Sequence, residues 1–315
     1  MLQPFSPLWA ALSAYLPWEH HTCPTYVLRQ GDNGLARVGF AQWRLLPEEA
    51  SAWLLFLAPA LDAPLGHPAV WQKVLTQSAV HLANHQVRHL FAEGPDQPLV
   101  INTLSQAGFQ RYTGETIWRL VTAPYAWAIP QSVEIRPQSQ VDAWALEQLY
   151  HRLTPAPVRQ AEAVDVDANG ERGARRPPIL HSFDPRLPMN GYVLMEQGEV
   201  AGCVQIIRGK VGVWLRLWTD LQEPDRARVL LRYGLQQIIE SAFRGSVYIA
   251  VREYEQELGS ILSHYGFAPF TDRARLVRQI WQWAKRTEPV QQSVLEPVGE
   301  VAPGSLAIPK SEIQN

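Results

Sequence analysis

Little in this chain staples it, anchors it or charges it one way. Its 315 residues hold two cysteines, Cys23 and Cys203. That is too few for a disulfide framework, and no metal-type cysteine spacing exists. Both read as small core or strand residues. The formal net charge of −2 leaves no basic footprint for nucleic acid. No uninterrupted apolar run approaches the roughly 20 residues a membrane span needs. Met1-Leu2-Gln3-Pro4 lacks the basic start and apolar stretch of a signal peptide. The expectation is a soluble, cytoplasmic protein with neither membrane nor nucleic acid as partner. Histidines are scattered: His20 and His21 near Cys23, then His81, His85 and His89. No carboxylate pair completes a metal site, so they read as surface or capping residues, with no metal expected. Gly-x-Ser-x-Gly, the phosphate-binding P-loop and the dinucleotide fingerprint are all missing.

What the chain does contain is itself, twice. Leu104-Ser105-Gln106-Ala107-Gly108-Phe109 returns as Leu262-Ser263-His264-Tyr265-Gly266-Phe267, an offset of 262 − 104 = 158. The same offset carries Thr113 onto Thr271 and His89–Glu93 onto Val247–Val251, and it lays Trp53–Leu57 on Val211–Leu215. A repeat of this length is two copies of one domain rather than a short-period solenoid. With 46% hydrophobic residues and 12 tryptophans, each half is able to bury a core.

Both halves predict the same series of elements. A hairpin comes first, Thr25–Gln30 with Leu35–Leu45, and later Gly191–Gln197 with Val200–Ile207. Turn residues between β-branched and aromatic runs carry that reading. An apolar strand follows, Ala52–Ala58 or Val211–Trp218, then an amphipathic helix, His67–Asn84 or Glu223–Phe243. A short strand (Val87–Ala92, Ser246–Val251), a second helix (Pro98–Gln106, Tyr254–His264) and a last strand (Glu115–Val121, Arg275–Ile280) complete each copy. Gly108 and Gly266 suit helix C-terminal caps. The second half adds a strand at Val133–Pro137 and a helix at Asp142–Leu153 with Asp142 as its N-cap. The first half offers only a short helix, Pro7–Tyr15, in that place. The domains are therefore expected at 1–124 and 132–286, with Thr122–Gln131 as linker. The stretch 163–184 and the tail 287–315 read as unordered. Trp214, Trp218, Trp281 and Trp283 alternate at strand spacing, as core or inter-domain packing or as an aromatic acceptor pocket.

This order of elements, with Gly-Phe closing the last helix in each copy, resembles the GNAT superfamily, the GCN5-related N-acetyltransferases. The resemblance covers Thr25–Val121 and Val133–Trp283. It implies a mixed-sheet α/β fold of two tandem acyl-CoA N-acyltransferase domains, the second being the fuller copy. It further implies acetyl-CoA as co-substrate. The pantetheine arm would lie along Leu217, Trp218 and Thr219, up to Asp220, and the pyrophosphate at the helix N-terminus around Arg226, Ala227 and Arg228. The family's Arg/Gln-x-x-Gly-x-Gly/Ala is eroded here. Asp225 stands where the first Gly belongs, and Gly66 lies between two prolines, Pro64 and Pro68. Arginines in a first helical turn oppose the dipole, so an anion partner would explain Arg226 and Arg228; otherwise they line a solvated helix face.

The family's catalytic tyrosine position, four before the terminal Gly, is Leu104 or Leu262, and Gln97 and Glu255 stand where an Asn is common. His264 and Tyr265 are the titratable neighbours and the candidate catalytic groups; Tyr265 equally suits a core position. Two functions stay open. One is N-acetyl transfer to a small amine or peptide amine, with Pro155–Asn190 shaping the acceptor pocket. The other is a non-catalytic GNAT-fold binding or scaffold protein.

Overall fold

The computed structural model describes residues 23–32, 35–120, 128–130, 133–164, 175–182, 187–209, 212–241, 243 and 245–280. The helix expected at Pro7–Tyr15, most of the linker, Trp281, Trp283 and the tail lie outside them. In the first half run β1 (Thr25–Asp32), β2 (Leu35–Leu46), β3 (Ser51–Ala58), α1 (Pro68–Asn84), β4 (His89–Pro95), α2 (Pro98–Gln106) and β5 (Gln110–Leu120). In the second run β6 (Glu134–Pro137), α3 (Ala143–Leu153), α4 (Ala156–Ala161), β7 (Met189–Glu196) and β8 (Glu199–Arg208). They continue with β9 (Gly212–Thr219), α5 (Pro224–Glu240), β10 (Ser246–Arg252), α6 (Glu257–His264) and β11 (Phe267–Gln279).

All eleven strands form one sheet, in the order β1-β2-β3-β4-β11-β5-β10-β9-β8-β7-β6. The two halves have exchanged their last strands. β11 pairs with β4 of the first half, and β5 pairs with β10 of the second. The exchange lengthens both strands. The sequence expects them from Glu115 and Arg275, whereas they begin at Gln110 and Phe267, because the two exchanged strands pair with each other along the added segments.

The helices follow their apolar spacing. α5 buries Ala227, Leu230, Leu231, Gly234, Leu235 and Ile238, the i, i+3, i+4 stripe of a helix lying on a sheet. A Cβ on Gly234 would come within 3.0 Å of Val204 Cγ2 and 3.2 Å of Leu215 Cδ2, so glycine sets this close approach. α2 and α6 both end on a glycine at positive φ, +86° at Gly108 and +83° at Gly266. After α2, Gly108 N–H donates to Ser105 and Phe109 N–H to Leu104, the paired bonds of a Schellman cap.

Three expectations need correction. The offset of 158 fails at the parallel strands. Ala52 pairs with Leu90 and Trp214 with Tyr248; the partners are 248 − 90 = 158 apart, but Ala52 and Trp214 are 214 − 52 = 162 apart. The first half spends nine residues, 59–67, between β3 and α1, and the second four, 220–223, between β9 and α5, which shifts the frame. Asp142 does not cap α3 with its side chain. Its carboxylate turns back to Ser139 N–H at 2.8 Å and to the Arg136 guanidinium at 2.6 Å, which together hold it down to about 2. Finally, part of the stretch expected to be unordered is core: Ile179 is fully buried and Arg175 nearly so.

The buried stretch around Arg175 and Ile179 crosses onto the first half. Arg175 pairs with Glu49 at 2.9 Å and lies over Trp53 and Phe91. On the same inner face, Arg252 pairs with Glu162 at 2.8 Å and Arg275 with Glu93 at 2.7 Å, while Arg273 pairs with Glu115. Guanidinium groups suit such buried pairs because their planar fork meets a carboxylate on two donors.

Candidate functional site

β9 and β10 pair in parallel only from Gly212–Leu215 against Ser246–Ile249. Beyond that point β9 runs on to Thr219 and β10 to Arg252, and the two diverge. The first half repeats the feature, with pairing limited to Ser51–Trp53 against His89–Phe91. Two parallel strands that part at their carboxyl ends leave one edge of each unpaired, the place where open α/β sheets bind ligands. In the second half a cavity of about 180 Å³ opens there. Leu217, Thr219 and Asp220 line it from the end of β9, Arg152 and Leu153 from α3, Tyr254 and Glu255 from the turn after β10, and Glu257 and Leu258 from the start of α6.

Arg252 organises the floor of this site. Its Nη1 donates to the Tyr254 hydroxyl at 2.9 Å and its Nη2 to Glu162 at 2.8 Å. Its backbone N–H donates to Glu255 Oε2 at 3.1 Å. Tyr150 secures Glu162 from the other side, donating to Oε2 at 2.7 Å. Burial would raise the Glu162 carboxyl, but the Arg252 and Arg275 guanidiniums outweigh it and hold it at about 2. At Glu255 the balance falls the other way. Burial raises its carboxyl, and Arg252 offsets that only in part. Burial also raises the Tyr254 hydroxyl, which stays protonated. A carboxylate poised to take a proton and a phenol able to give one thus share one cavity.

The sequence candidates fall in different places. Leu217 and Thr219 line the cavity. Trp218 turns to the opposite face, where its indole donates to Gln205 Oε1 at 3.2 Å and meets Tyr150 edge-on. Ala227 is fully buried under α5. The anions that explain the two arginines are internal: Arg226 forks onto Glu196 at 2.7 and 3.0 Å, and Arg228 reaches Asp225 at 2.6 Å. His264 and Tyr265 lie at the far end of α6, roughly 12 Å along its axis from the cavity end at Glu257. Tyr265 is buried and accepts from Arg232 at 2.7 Å; His264 is exposed against its ring. The structure does not bring this pair to the cavity.

The turn before α5 is also self-contained. Gln222 N–H donates to the Asp220 carboxylate at 3.0 Å and Glu223 N–H to the Asp220 carbonyl at 3.2 Å. Pro224, at the first helical position, has no N–H to offer. The residues present thus suit a pantetheine-like arm along β9 better than a pyrophosphate at α5. Among the described residues no cluster of three or more His, Cys, Asp or Glu is placed to hold a metal. Nor is any helix long and apolar enough to cross a membrane.

Sequence reasoning passed over Tyr254, Arg152 and Glu162, and met Glu255 only as a substitution. The available signal was position: Glu255 follows the carboxyl end of a parallel strand, where its pairing with the neighbouring parallel strand has ended.

No protein-family profile matches the chain, and no curated protein matches it. Solved structures do. A conserved protein of unknown function from Staphylococcus epidermidis aligns at 12% identity over 76% of this chain and 90% of its own, with a TM-score of 0.52. A tandem GNAT protein from the clavulanic acid biosynthesis pathway aligns at 12% identity over 79% and 81%, TM-score 0.52. A GCN5-related N-acetyltransferase from Kribbella flavida aligns at 13% identity over 85% and 94%, TM-score 0.52. At such identities the likeness is one of fold.

Proposed function

We propose that this chain, which has the fold of the GCN5-related N-acetyltransferases in tandem, is an N-acyltransferase whose working site is the β9/β10 cleft of its second half. The observation that carries the reading is the cavity where those strands part, with Glu255 and Tyr254 on its wall. The acyl donor is a thioester such as acetyl-CoA, which supplies an activated carbonyl and a thiolate leaving group. Leu217 and Thr219 offer the donor's amide arm the free edge of β9. Glu255, with its raised carboxyl, takes the proton from the attacking ammonium or amine. The nitrogen forms the new C–N bond as the C–S bond breaks, and the Tyr254 hydroxyl gives a proton to the departing sulfur. Arg252 positions both groups. The acceptor is a small amine or peptide amine entering from the face covered by the described residues 175–182.

One observation favours a second reading, a GNAT-fold binding protein without chemistry. Asp220 occupies the backbone donors where a nucleotide pyrophosphate would sit. Thermal unfolding with acetyl-CoA separates the two. Ligand at one hundred times its dissociation constant adds about 2.7 kcal/mol. A shift with acetyl-CoA, followed by thiol release when amines are added, supports the enzyme. No shift at millimolar acetyl-CoA supports the binding protein.

A further inference from the structure

Four arginines on the inner face of the sheet, Arg175, Arg252, Arg273 and Arg275, pair with four carboxylates, Glu49, Glu162, Glu115 and Glu93. A fifth, Arg216, shares that face and has no such partner. Side chains alternate along β9, so Arg216 points with Trp214 and Trp218, away from the α5 side taken by Val213 and Leu215. Its guanidinium lies over the Trp218 ring at 4.8 Å and donates to the His181 carbonyl at 3.1 Å. No ion pair joins it to a carboxylate among the described residues. Burial, with Arg252 and Arg275 close by, pulls it down to about 10. An uncompensated guanidinium in such surroundings is costly unless an anion arrives.

Its place is as informative as its charge. Along β9 only Arg216 and Leu217 keep partial exposure. They follow Leu215, the last residue paired with β10. Leu217 lines the cavity from one side of the cleft; Arg216 leaves the other face of β9 at the same point of divergence, near enough to Glu255 for its charge to favour that carboxylate. The proton acceptor of the site, Glu255, is already held by the Arg252 backbone.

We propose that Arg216 is the recognition residue for a carboxylate on the acceptor, so that the substrate is an amino-acid-type amine: its nitrogen directed to Glu255, its carboxylate paired with the Arg216 fork. Arg216 offers one fork with no ion-pair partner, which matches a monoanion; a phosphate dianion would bring excess negative charge beside Glu162 and Glu255. The amine half of this assignment rests on the acyltransferase reading above, whereas the carboxylate half does not.

The test uses the full chain and three probes: N-acetylglycine, its neutral isostere N-acetylglycinamide, and inorganic phosphate, each titrated by calorimetry. N-acetylglycine is expected to bind at least about tenfold tighter than the amide, about 1.4 kcal/mol. Arg216→Gln abolishes that preference and Arg216→Lys keeps part of it. Arg216→Gln is expected to unfold no lower than the wild type, since it removes a half-buried cation that has no ion-pair partner, so lost binding is not lost folding. Equal binding of acid and amide overturns the proposal, as does a preference that survives in Arg216→Gln. Tighter binding of phosphate than of N-acetylglycine overturns the carboxylate assignment. A separate acetyl-CoA titration keeps the two readings apart. Carboxylate binding without acetyl-CoA binding retains Arg216 and removes the acyltransferase; transfer to neutral and carboxylated amines alike retains the enzyme and removes the role of Arg216.

Discussion

Glu115 and Arg273 are 273 − 115 = 158 residues apart, the repeat length, and they face each other across β5 and β11. They are the same position in the two copies. The flanking pairs obey the same relation: Thr113 meets Arg275 and Ile117 meets Thr271, with 113 + 158 = 271 and 117 + 158 = 275. A pseudo-twofold axis therefore passes through this ion pair, where identical positions carry opposite charges. A true homodimer would place two like charges there, or two neutral groups. Fusing the copies into one chain lets the two positions differ.

Removing one partner of this pair is expected to cost more than removing both. The Glu115 side chain is 3% exposed and Arg273 26%. Glu115→Leu leaves this guanidinium with only the more distant Glu93, at 3.5 Å, and should cost up to about 3 kcal/mol. Glu115→Leu with Arg273→Met replaces the pair by apolar volume and should cost less than either single change. Urea midpoints of the three variants give the comparison; additive losses would mean that the pair is not coupled.

The exchanged strands make the halves one folding unit. β11 lies between β4 and β5, so neither half completes its own sheet. Segments 23–124 and 128–280, produced separately, are each expected to aggregate or stay unfolded, because each exposes long unpaired strand edges. Produced together, they should assemble into a 1:1 complex that unfolds in one transition. A soluble, monomeric second half with native circular dichroism would refute this.

Most elements were legible because their periodicity was local: the α5 stripe, both hairpins, and the Gly-Phe closures at Gly108 and Gly266 are set within a dozen residues. The strand exchange was not legible. β5 and β11 have equivalent sequences, so each suits either slot, and only the long-range pairing distinguishes them. The site was half legible. Leu217 and Thr219 came from the family resemblance, but Glu255 depends on how deeply the cavity buries it. Arg175 and Ile179 were missed because their surroundings are polar in sequence, while the Arg175 partners Glu49 and Trp53 lie more than a hundred residues away and Ile179 packs on separate elements of the second half.

Acid should unfold the protein through two carboxyls. Asp142 and Glu162 are each held at about 2, below the ordinary 3.8 and 4.5. A depressed folded value contributes stability that is complete above the unfolded value and is lost as pH falls toward the folded one. Stability is therefore expected to decline between about pH 5 and 2. Glu162→Gln should lower the neutral-pH urea midpoint and flatten its acid dependence. A parallel decline in the variant would exclude Glu162 as a cause.

Glu255 predicts the opposite sign. Its carboxyl is raised by burial, so ionising it opposes folding, and the strain grows as pH rises through its folded value. Glu255→Gln keeps an oxygen to accept the Arg252 N–H and should melt higher than the wild type at neutral pH. The same variant should lose acyl transfer by about a hundredfold or more, in line with loss of a general base. In the wild type the transfer rate should rise with pH through a value above that of an ordinary glutamate. A variant with unchanged transfer would remove Glu255 as the base.

The turn at Asp220 gives the clearest discrimination between enzyme and binding protein. Its carboxylate accepts the Gln222 N–H at 3.0 Å, at the place where a helix N-terminus would otherwise meet a phosphate. Glu223 and Asp225 add negative charge beside it. If the cleft holds a CoA thioester despite this, Asp220 weakens the binding, and Asp220→Ala should tighten acetyl-CoA by several-fold, about 1 kcal/mol. Arg226→Ala with Arg228→Ala should change affinity by less than that, because Glu196 and Asp225 already engage those side chains. Calorimetry on the wild type and both variants reads the two effects side by side. Affinity that falls in the arginine double variant and stays level in Asp220→Ala would return the phosphates to the arginines. Absence of acetyl-CoA binding in all three proteins would leave the cleft as a binding site for something else.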